Sequence, residues 1–348
     1  MKKHSLRQQS RSATLRAGGA SEILAVLEDF GVDPAEPLAD AGLAADSFDD
    51  PGNVITYAAR GRLMKYCAAR TGCQHFGLLV GQRMNLHNLG LLGSLMKTSR
   101  DVGTALRSLV RLLHLHSQGA AMALTVDDEL AVLTYDAFES RQEGTDQTGD
   151  GAVAMMLNVL RTLCGHDFKP IEATFAHRRP ADIKPFREFF RIPLYFDTNH
   201  YALVFSPVWL DARPPGADTQ LQRLLQGAIT AHNAKHSLKF PEQVRSVLRS
   251  AVTTDHCTEE RIALLFSMSS RTLSRRLDAS GTSFHELVDE CRFDIARQML
   301  RNTALRVSEI GTSVGYSRSS AFIRAFRRWS GSTPSQWRAA SDAIGHKQ

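Results

Sequence analysis

Residues 271–300 have the sequence RTLSRRLDASGTSFHELVDECRFDIARQML, and residues 307–338 have the sequence VSEIGTSVGYSRSSAFIRAFRRWSGSTPSQWR. With the residues just before each of them, these stretches form an internal repeat with a spacing of 48 to 50 residues. The matched positions are Ile262 with Ile310, Leu273 with Phe322, Arg275 with Arg324, Leu277 with Phe326 and Gly281 with Gly331. A duplicated pattern of this kind predicts two copies of one structural unit.

Each copy has the pattern of a helix-turn-helix, in which a short apolar helix is followed by a tight turn and a second helix. The first copy predicts a supporting helix over 259–266, a turn over 267–269 and a second helix that Ser270 caps. The second copy repeats this order over 307–314, 315–316 and 319–329.

The second helix of each copy is predicted to have one apolar and one cationic face. Leu273 with Leu277, and Phe322 with Phe326, are four residues apart and should face a core. Arginine can donate two parallel hydrogen bonds to guanine, and serine near a helix start can reach phosphate or base. The residues that we place on the opposite, DNA-facing side are Ser270, Arg271, Ser274, Arg275, Ser319, Ser320, Ile323, Arg324 and Arg327.

Between the copies, apolar residues at helical spacing predict a connecting helix over 284–300. A helix of this length spans about 25 Å at ~1.5 Å per residue. It could hold two recognition helices near the ~34 Å that separates successive major grooves on one face of DNA. The alternative is a helical bundle whose cationic faces are merely solvated, which two copies at this spacing disfavour.

The charge of the chain is concentrated at its two ends. Residues 1–20 have five basic residues and no acidic one, and residues 241–348 have 16 basic and 11 acidic residues. The segment 21–240 between them has 21 basic and 25 acidic residues. A basic terminal domain beside a mildly acidic one indicates that the basic domain approaches a polyanion.

The organisation of the chain predicts a tail and two domains. Residues 1–20 are polar, basic and without periodicity, which is typical of a mobile tail. Residues 21–236 combine helical patterns with short segments rich in Val, Thr and Leu, and they predict a mixed α/β sensor domain. Residues 237–348 predict an all-α domain with two helix-turn-helix units joined by a long helix. The stretch DARPPGAD, 211–218, is the strongest turn or linker signal and predicts a linker between the body of the chain and its DNA-binding part. A second break follows at 237–241, and because Pro241 fits a first helical turn, we place the start of the second domain there.

Several kinds of chemistry lack a motif in the sequence. We predict no catalytic residues, because no G-x-S-x-G elbow, P-loop or G-x-G-x-x-G fingerprint is present. We also predict no cofactor and no metal, because His232 and His236 lack a third ligand nearby. Five cysteines, odd in number and scattered, are typical of reduced thiols in a cytoplasm. No apolar stretch approaches the ~20 residues that span a bilayer.

Over about 241–338 the sequence resembles the DNA-binding domain of the AraC/XylS family of bacterial regulators, and the two segments quoted first carry the resemblance. It implies that Arg271, Ser274, Arg275, Ser319, Ser320, Ile323 and Arg324 face DNA, and that Arg292 is a structural residue of the connecting helix. Gly311 departs from the family's usual alanine, which should weaken its helix by under ~1 kcal/mol. Because Ala321 and Ile323 leave the second recognition helix with few hydrogen-bonding side chains, we expect the first unit to contribute more of the base-specific readout.

The first domain resembles, more loosely, the sensor domain of the amino-acid and metabolite regulators in this family rather than an arabinose-type cupin. The segments that carry this resemblance are 76–117 and 191–214. The family resemblance implies a cytoplasmic bacterial regulator that associates with the nucleoid when it binds promoter DNA and that responds to a small-molecule effector of unknown identity. It implies activation more often than repression, and RNA polymerase as a partner if the regulator is an activator. The alternatives are an enzyme, or a dimerisation module without a ligand whose homodimer interface is the helix predicted at 219–234.

Overall fold

Two separate hydrophobic cores organise the structure. In this computed structural model the first core extends from Leu15 to Ile229 and the second from Val244 to Phe326. The first is built by helices around a five-stranded sheet and the second by helices alone, which confirms the predicted fold class. The structure describes residues 13–137, 143–236, 240–252, 257–266 and 268–345.

Nine α-helices belong to the first core region among the residues described. They are α1 (Glu22–Asp29), α2 (Ala35–Ala41), α3 (Tyr57–Thr71), α4 (Phe76–Arg83), α5 (Leu91–Lys97), α6 (Val102–Leu112), α7 (Thr145–Cys164), α8 (Lys184–Phe190) and α9 (Thr219–His236). The strands are β1 (Thr14–Arg16), β2 (Val54–Thr56), β3 (Ala120–Val126), β4 (Ala131–Ala137), β5 (Glu172–Thr174), β6 (Leu194–Tyr195) and β7 (Tyr201–Phe205).

The main sheet is open and has the strand order β3-β4-β7-β5-β6. All neighbours are antiparallel except β5 and β6. The hairpin β3–β4 turns at Asp127, whose carboxylate accepts hydrogen bonds from the backbone N–H groups of Glu129 and Leu130 at 2.9 and 2.7 Å. A single open sheet of five strands, packed against helices, differs from the two packed sheets of a jelly-roll cupin, as predicted.

Close packing of α4 on α7 depends on glycine. A Cβ atom on Gly77 would lie 1.9 Å from the backbone oxygen of Gln147, and one on Gly81 would lie 2.4 Å from that of Gly151. Gln147 also fixes the pair of helices, because its Oε1 accepts the Gly77 N–H at 2.8 Å and its Nε2 donates to the Gln74 carbonyl at 2.9 Å. Side chains larger than hydrogen would force the two helices apart.

The predicted mobile tail is wrong for residues 13–20. There β1 pairs with β2 in antiparallel register, and Leu15 opposite Ile55 is 4% exposed. The Arg16 N–H also donates to the His116 carbonyl at 3.0 Å. A strand of three residues is too short to show a period in sequence, so tertiary pairing decides its structure. Residues 1–12 lie outside the described part of the chain.

The stretch 211–218 lies inside the first domain, so the prediction that it joins two domains is wrong. The Val102 N–H donates to the Ala212 carbonyl at 2.9 Å, and the Asp218 N–H donates to the Thr98 carbonyl at 3.0 Å. The helix that follows, α9, packs back on α5 and buries Ile229. Proline and glycine mark a chain reversal, but they do not indicate which core the next helix joins.

The second core is formed by helices α10 to α16. Pro241 lies in the first turn of α10, as predicted, and the domain boundary placed at 237 falls on residues 237–239, outside those described. The helices are α10 (Phe240–Ala251), α11 (Glu259–Leu265), α12 (Ser270–Asp278), α13 (Phe284–Asn302), α14 (Val307–Ser313), α15 (Ser319–Ser330) and α16 (Pro334–Gly345).

The two core regions contact each other directly. Helix α10 packs on β3 and β4 of the sheet. The Asn302 Nδ2 atom at the end of α13 donates to Thr145 Oγ1 at 3.2 Å, and the Ala304 N–H donates to Asp197 Oδ1 at 3.2 Å. The sheet of the first region therefore supports the helix that opens the second region.

Candidate nucleic-acid interface

The first helix-turn-helix unit consists of α11 and α12. Leu273 and Leu277 of α12 are fully buried, as predicted. The prediction that Ser270 caps α12 is wrong by one residue: the Ser269 Oγ atom accepts the Thr272 N–H at 3.3 Å, and Ser270 is the first helical residue. Ser269 has the extended backbone that an N-cap requires. The turn predicted at 267–269 includes residue 267, outside those described.

The predicted reading face of α12 is only partly open. Arg271 and Arg275 are exposed, and Ser270 is half-buried. The hydroxyl of Ser274 is also half-buried and donates a hydrogen bond to the Glu259 carboxylate of α11. Ser274 is therefore engaged within the unit, since an acceptor on the supporting helix binds the hydroxyl that the sequence assigned to DNA.

The second unit consists of α14 and α15, within one residue of the predicted bounds. Phe322 and Phe326 are fully buried, as predicted. Gly311 of α14 packs on Phe322, because an added Cβ would lie 3.1 Å from the Phe322 Cβ. The predicted DNA-facing residues of α15 are all exposed: Ser319, Ser320, Ile323, Arg324 and Arg327.

The connecting helix α13 is two residues longer than predicted and spans about 28 Å. Ser283 and Glu286 form a capping box at its start, which satisfies backbone N–H groups that the helix leaves free. Arg292, predicted to be structural, lies with its Cζ atom 5.1 Å from the centroid of the Tyr316 ring in the second turn. The connector thus fixes the second unit through side-chain contacts as well as through the chain.

Ion pairing separates two groups of arginines in this domain. One group pairs with carboxylates at 2.6 to 2.8 Å: Arg245, Arg249, Arg297, Arg306 and Arg328. Within the described ranges, the four predicted DNA-facing arginines have no ion-pair partner, and these are Arg271, Arg275, Arg324 and Arg327. Exposed cations without internal partners are available to phosphates and base edges.

Sequence reasoning missed Arg318 at the start of α15 and the internal contact of Arg276. Arg318 is exposed and occupies the N-cap position of α15, where a cation can approach a phosphate at the helix N-terminus. Arg276 stacks on Phe240, with its Cζ atom 4.0 Å from the ring centroid. The position of Arg318 just before the helix was visible in the sequence, whereas the stacking of Arg276 depends on a residue far away in the chain.

The cysteine, histidine and acidic side chains bear on metal and thiol chemistry. In the part of the chain that the structure describes, no group of three or more His, Cys, Asp or Glu side chains could hold a metal ion. The side chains of His232 and His236 lie outside that part. Burial raises the pKa of the Cys67 and Cys291 thiols to about 12, so both remain protonated core residues. No helix of the described residues has the length and apolar character that crossing a membrane requires.

Comparisons with known proteins agree with this architecture. A family model described as the arabinose-binding domain of AraC transcription regulator, N-term, matches residues 31–214, more than half of the chain. A second model, described as a helix-turn-helix domain, matches residues 262–340. The fold and these matches define a helix-turn-helix transcription regulator that binds DNA, not an enzyme. The chain belongs to the AraC family.

Relatives match the chain over nearly its whole length. The ornithine utilization regulator of Pseudomonas aeruginosa is 26% identical over 92% of this chain and 95% of its own. The transcriptional regulator VirS of Mycobacterium tuberculosis is 27% identical over 92% of this chain and 95% of its own. The solved structure of the regulator CdpR from Pseudomonas aeruginosa covers 91% of this chain and 98% of its own, with 20% identity and a TM-score of 0.44.

Proposed function

We propose that α12 and α15 enter two successive major grooves of promoter DNA from one side. The observation that supports this most directly is the group of four exposed arginines without ion pairs, Arg271 and Arg275 on α12 and Arg324 and Arg327 on α15. The length of α13, about 28 Å, is compatible with the ~34 Å groove repeat when the reach of side chains is added.

Roles within the interface follow from exposure and chemistry. Arg275 and Arg271 contact base edges or phosphates in the first groove, while Ser270, at the start of the helix, contacts the backbone. In the second unit, Ser319 and Ser320 contact phosphates and Ile323 contacts a thymine methyl. Arg324 contacts a base edge, and Arg327 contacts a phosphate. Ser274 reads a base only if its hydrogen bond to Glu259 opens.

Selection of bound sequences from random DNA tests the two-groove arrangement. We expect enrichment of two short elements whose centres lie about one helical turn, ~10 bp, apart. With the Arg324→Ala chain, the DNA element that α15 contacts should no longer be enriched, whereas the element that α12 contacts should still be enriched. Enrichment of one uninterrupted short element with the unaltered chain would contradict the proposal.

We also propose that residues 21–236 sense a small-molecule effector and that the regulator acts in the bacterial cytoplasm, bound to the nucleoid and activating transcription with RNA polymerase. The contacts of α10 with β3 and β4 support the sensing role, because they let a change in the sheet alter the position of the DNA-binding helices. The experiment measures promoter output and DNA affinity with and without metabolite mixtures, and equal values would contradict effector sensing.

A homodimer through α9 is the second proposal for this domain. Leu221 and Leu224, three apart on α9, are 42% and 67% exposed, and they form an apolar stripe of the kind that helices bury against each other. Sedimentation of the chain should give a dimer that Leu224→Glu converts to a monomer. The matched variant Thr230→Glu introduces the same charge at an exposed position on the other side of α9 and should leave the dimer unchanged. A monomeric unaltered chain would contradict the proposal.

A further inference from the structure

A large cavity lies inside the first domain, between helices α3, α6 and α7 and the hairpin β3–β4. The space not filled by protein atoms is about 840 Å³, which includes the open mouth of the cavity. Within this space, the volume open to the centre of a water molecule is about 90 Å³. The latter volume is several times the ~10–15 Å³ that one water needs. Its lining is mainly aliphatic and includes five methionines, Met64, Met84, Met122, Met155 and Met156. Methionine adapts to the shape of apolar ligands.

One cation faces this apolar space. Arg60 of α3 lines the cavity, and its Nε and Nη2 atoms are buried without a hydrogen-bond partner among the residues described. Its Cζ atom lies 4.5 Å from the centroid of the Tyr57 ring, which holds the guanidinium in place. The Ser117 hydroxyl, also in the lining, is buried without a partner as well. Buried donors of this kind are costly unless something binds them.

No protein carboxylate compensates Arg60 within the cavity. Among the described residues that line it, none is Asp or Glu. The other basic side chain in the lining is His116, whose pKa is lowered to about 4 by burial and by the charges of Arg16 and Arg60. His116 is therefore neutral at neutral pH, and the charge inside the cavity is that of Arg60 alone.

We propose that this cavity binds a small monocarboxylate with an apolar body, whose carboxylate pairs with the Nε and Nη2 donors of Arg60. These two donors have the fork geometry that receives both oxygens of a carboxylate. The aliphatic and methionine lining receives the rest of the molecule. A basic amino acid fits poorly, because its side-chain ammonium would find no carboxylate there. The inference rests on the proposed effector sensing and names the class of the effector.

The cavity is linked to the DNA-binding domain through β4. The hydroxyls of Tyr57 and Tyr135 in the cavity wall are hydrogen-bonded to each other. The next residue on β4, Asp136, points to the opposite face of the sheet, where it lines a small space together with Arg249 of α10. A ligand that binds Arg60 beside the tyrosine pair therefore contacts the strand against which α10 packs, and it can shift that strand.

Titration calorimetry of the full chain with octanoate, 1-octanol, octylamine and lysine tests the site. We expect saturable binding of octanoate, binding of octanol about tenfold to a hundredfold weaker, and none of octylamine or lysine. Equal affinity of octanoate and octanol would overturn the proposal without any substitution. It would mean that water, rather than a carboxylate, satisfies Arg60.

Substitutions on α3 supply the second test. Arg60→Gln should weaken octanoate binding about tenfold to a hundredfold and leave octanol binding unchanged. Arg60→Lys, which keeps the charge in case the glutamine variant misfolds, should restore part of the affinity. The matched control is Arg70→Gln on the same helix, where Arg70 pairs with Glu36 at the surface. Unchanged octanoate affinity in a folded Arg60→Gln chain would overturn the site.

Binding to promoter DNA separates this inference from effector sensing. If octanoate binds through Arg60 and changes DNA affinity, both proposals are supported. If it binds through Arg60 without any effect on DNA, the site is supported and the coupling through β4 is overturned. If no carboxylate binds while another metabolite changes DNA affinity, the carboxylate site is overturned and effector sensing is retained.

Discussion

The Nε2 atom of His177 lies 2.8 Å from Oδ1 of Asp150, and both side chains are buried between α7 and the loop after β5. The Nδ1 atom of His177 lies 2.8 Å from the Arg178 carbonyl oxygen, so both ring nitrogens have acceptors. Burial alone would lower the pKa of His177. The charge of Asp150 and these two hydrogen bonds outweigh burial and raise the pKa to about 9.

This pair predicts a pH dependence of stability. Because the folded pKa of His177 lies above the unfolded value of about 6.5, its contribution is fully present below pH ~6.5 and is lost as pH rises through about 9. Denaturant unfolding at a series of pH values should show a fall over this window that His177→Gln removes. His200→Gln is the control: burial lowers the pKa of His200 to about 4, so it does not titrate there. The same fall in both variants would contradict the assignment.

We expect Asp136 to make the stability of the chain depend on pH over a lower pH range than His177 does. Burial raises its pKa to about 7 even though the charge of Arg249 opposes the shift. An acid whose folded pKa exceeds its unfolded value costs stability as pH rises from about 4 through about 7. Asp136→Asn should therefore be more stable than the unaltered chain at pH 8, by at most about 4 kcal/mol, and similar to it at pH 4. A less stable variant at pH 8 would show that the charged carboxylate supports the contact with α10.

We expect Arg275 to contact a base edge in the first groove. Arg275→Ala should weaken binding to the selected operator by about 1–3 kcal/mol and relax discrimination at one base position. Its neighbour Arg276, which stacks on Phe240, supplies the matched control. Arg276→Ala should change affinity less and leave the base preference intact. Fluorescence anisotropy with every single-base variant of the operator measures both, and an unchanged base profile for Arg275→Ala would rule out base contact.

We expect Arg327 of the second unit to contact a phosphate. Arg327→Ala should weaken binding to all sequences alike and reduce the slope of log affinity against log salt by about 1. Arg328 follows it on α15 but pairs with Asp289 at 2.7 Å. Arg328→Ala should therefore leave the salt slope nearly unchanged. Equal slopes for the unaltered chain and Arg327→Ala would place Arg327 away from DNA.

The close packing of α4 on α7 at Gly77 should make the chain sensitive to any larger side chain there. Gly77→Ala would place a methyl group 1.9 Å from a backbone oxygen, and we expect it to cost about 1–3 kcal/mol or more. In α9, an added Cβ on Gly227 meets no atom within 4 Å. Gly227→Ala should instead stabilise the chain by up to about 1 kcal/mol, because alanine favours the helix. Thermal unfolding of the two variants should therefore shift in opposite directions.

The sequence by itself determined the two helix-turn-helix units and the connecting helix of the second domain, but not α10 and α16. Its units depend on local signals, such as leucines and phenylalanines four apart, a turn glycine and short loops, and these signals act within one helix or between neighbours. Leu273, Leu277, Phe322 and Phe326 are buried where the repeat predicts. The exposed arginines follow from the same helical period.

Only the tertiary structure decided how distant segments combine. Leu15 forms a strand because Ile55 lies opposite it, and 211–218 folds back because α9 finds a place on α5. The Ser274 hydroxyl donates a hydrogen bond to Glu259 of another helix, and Arg60 lines a cavity that several separate elements enclose. A linear pattern records the period of one element, whereas the partner of a buried charge or of a short strand depends on which elements pack together.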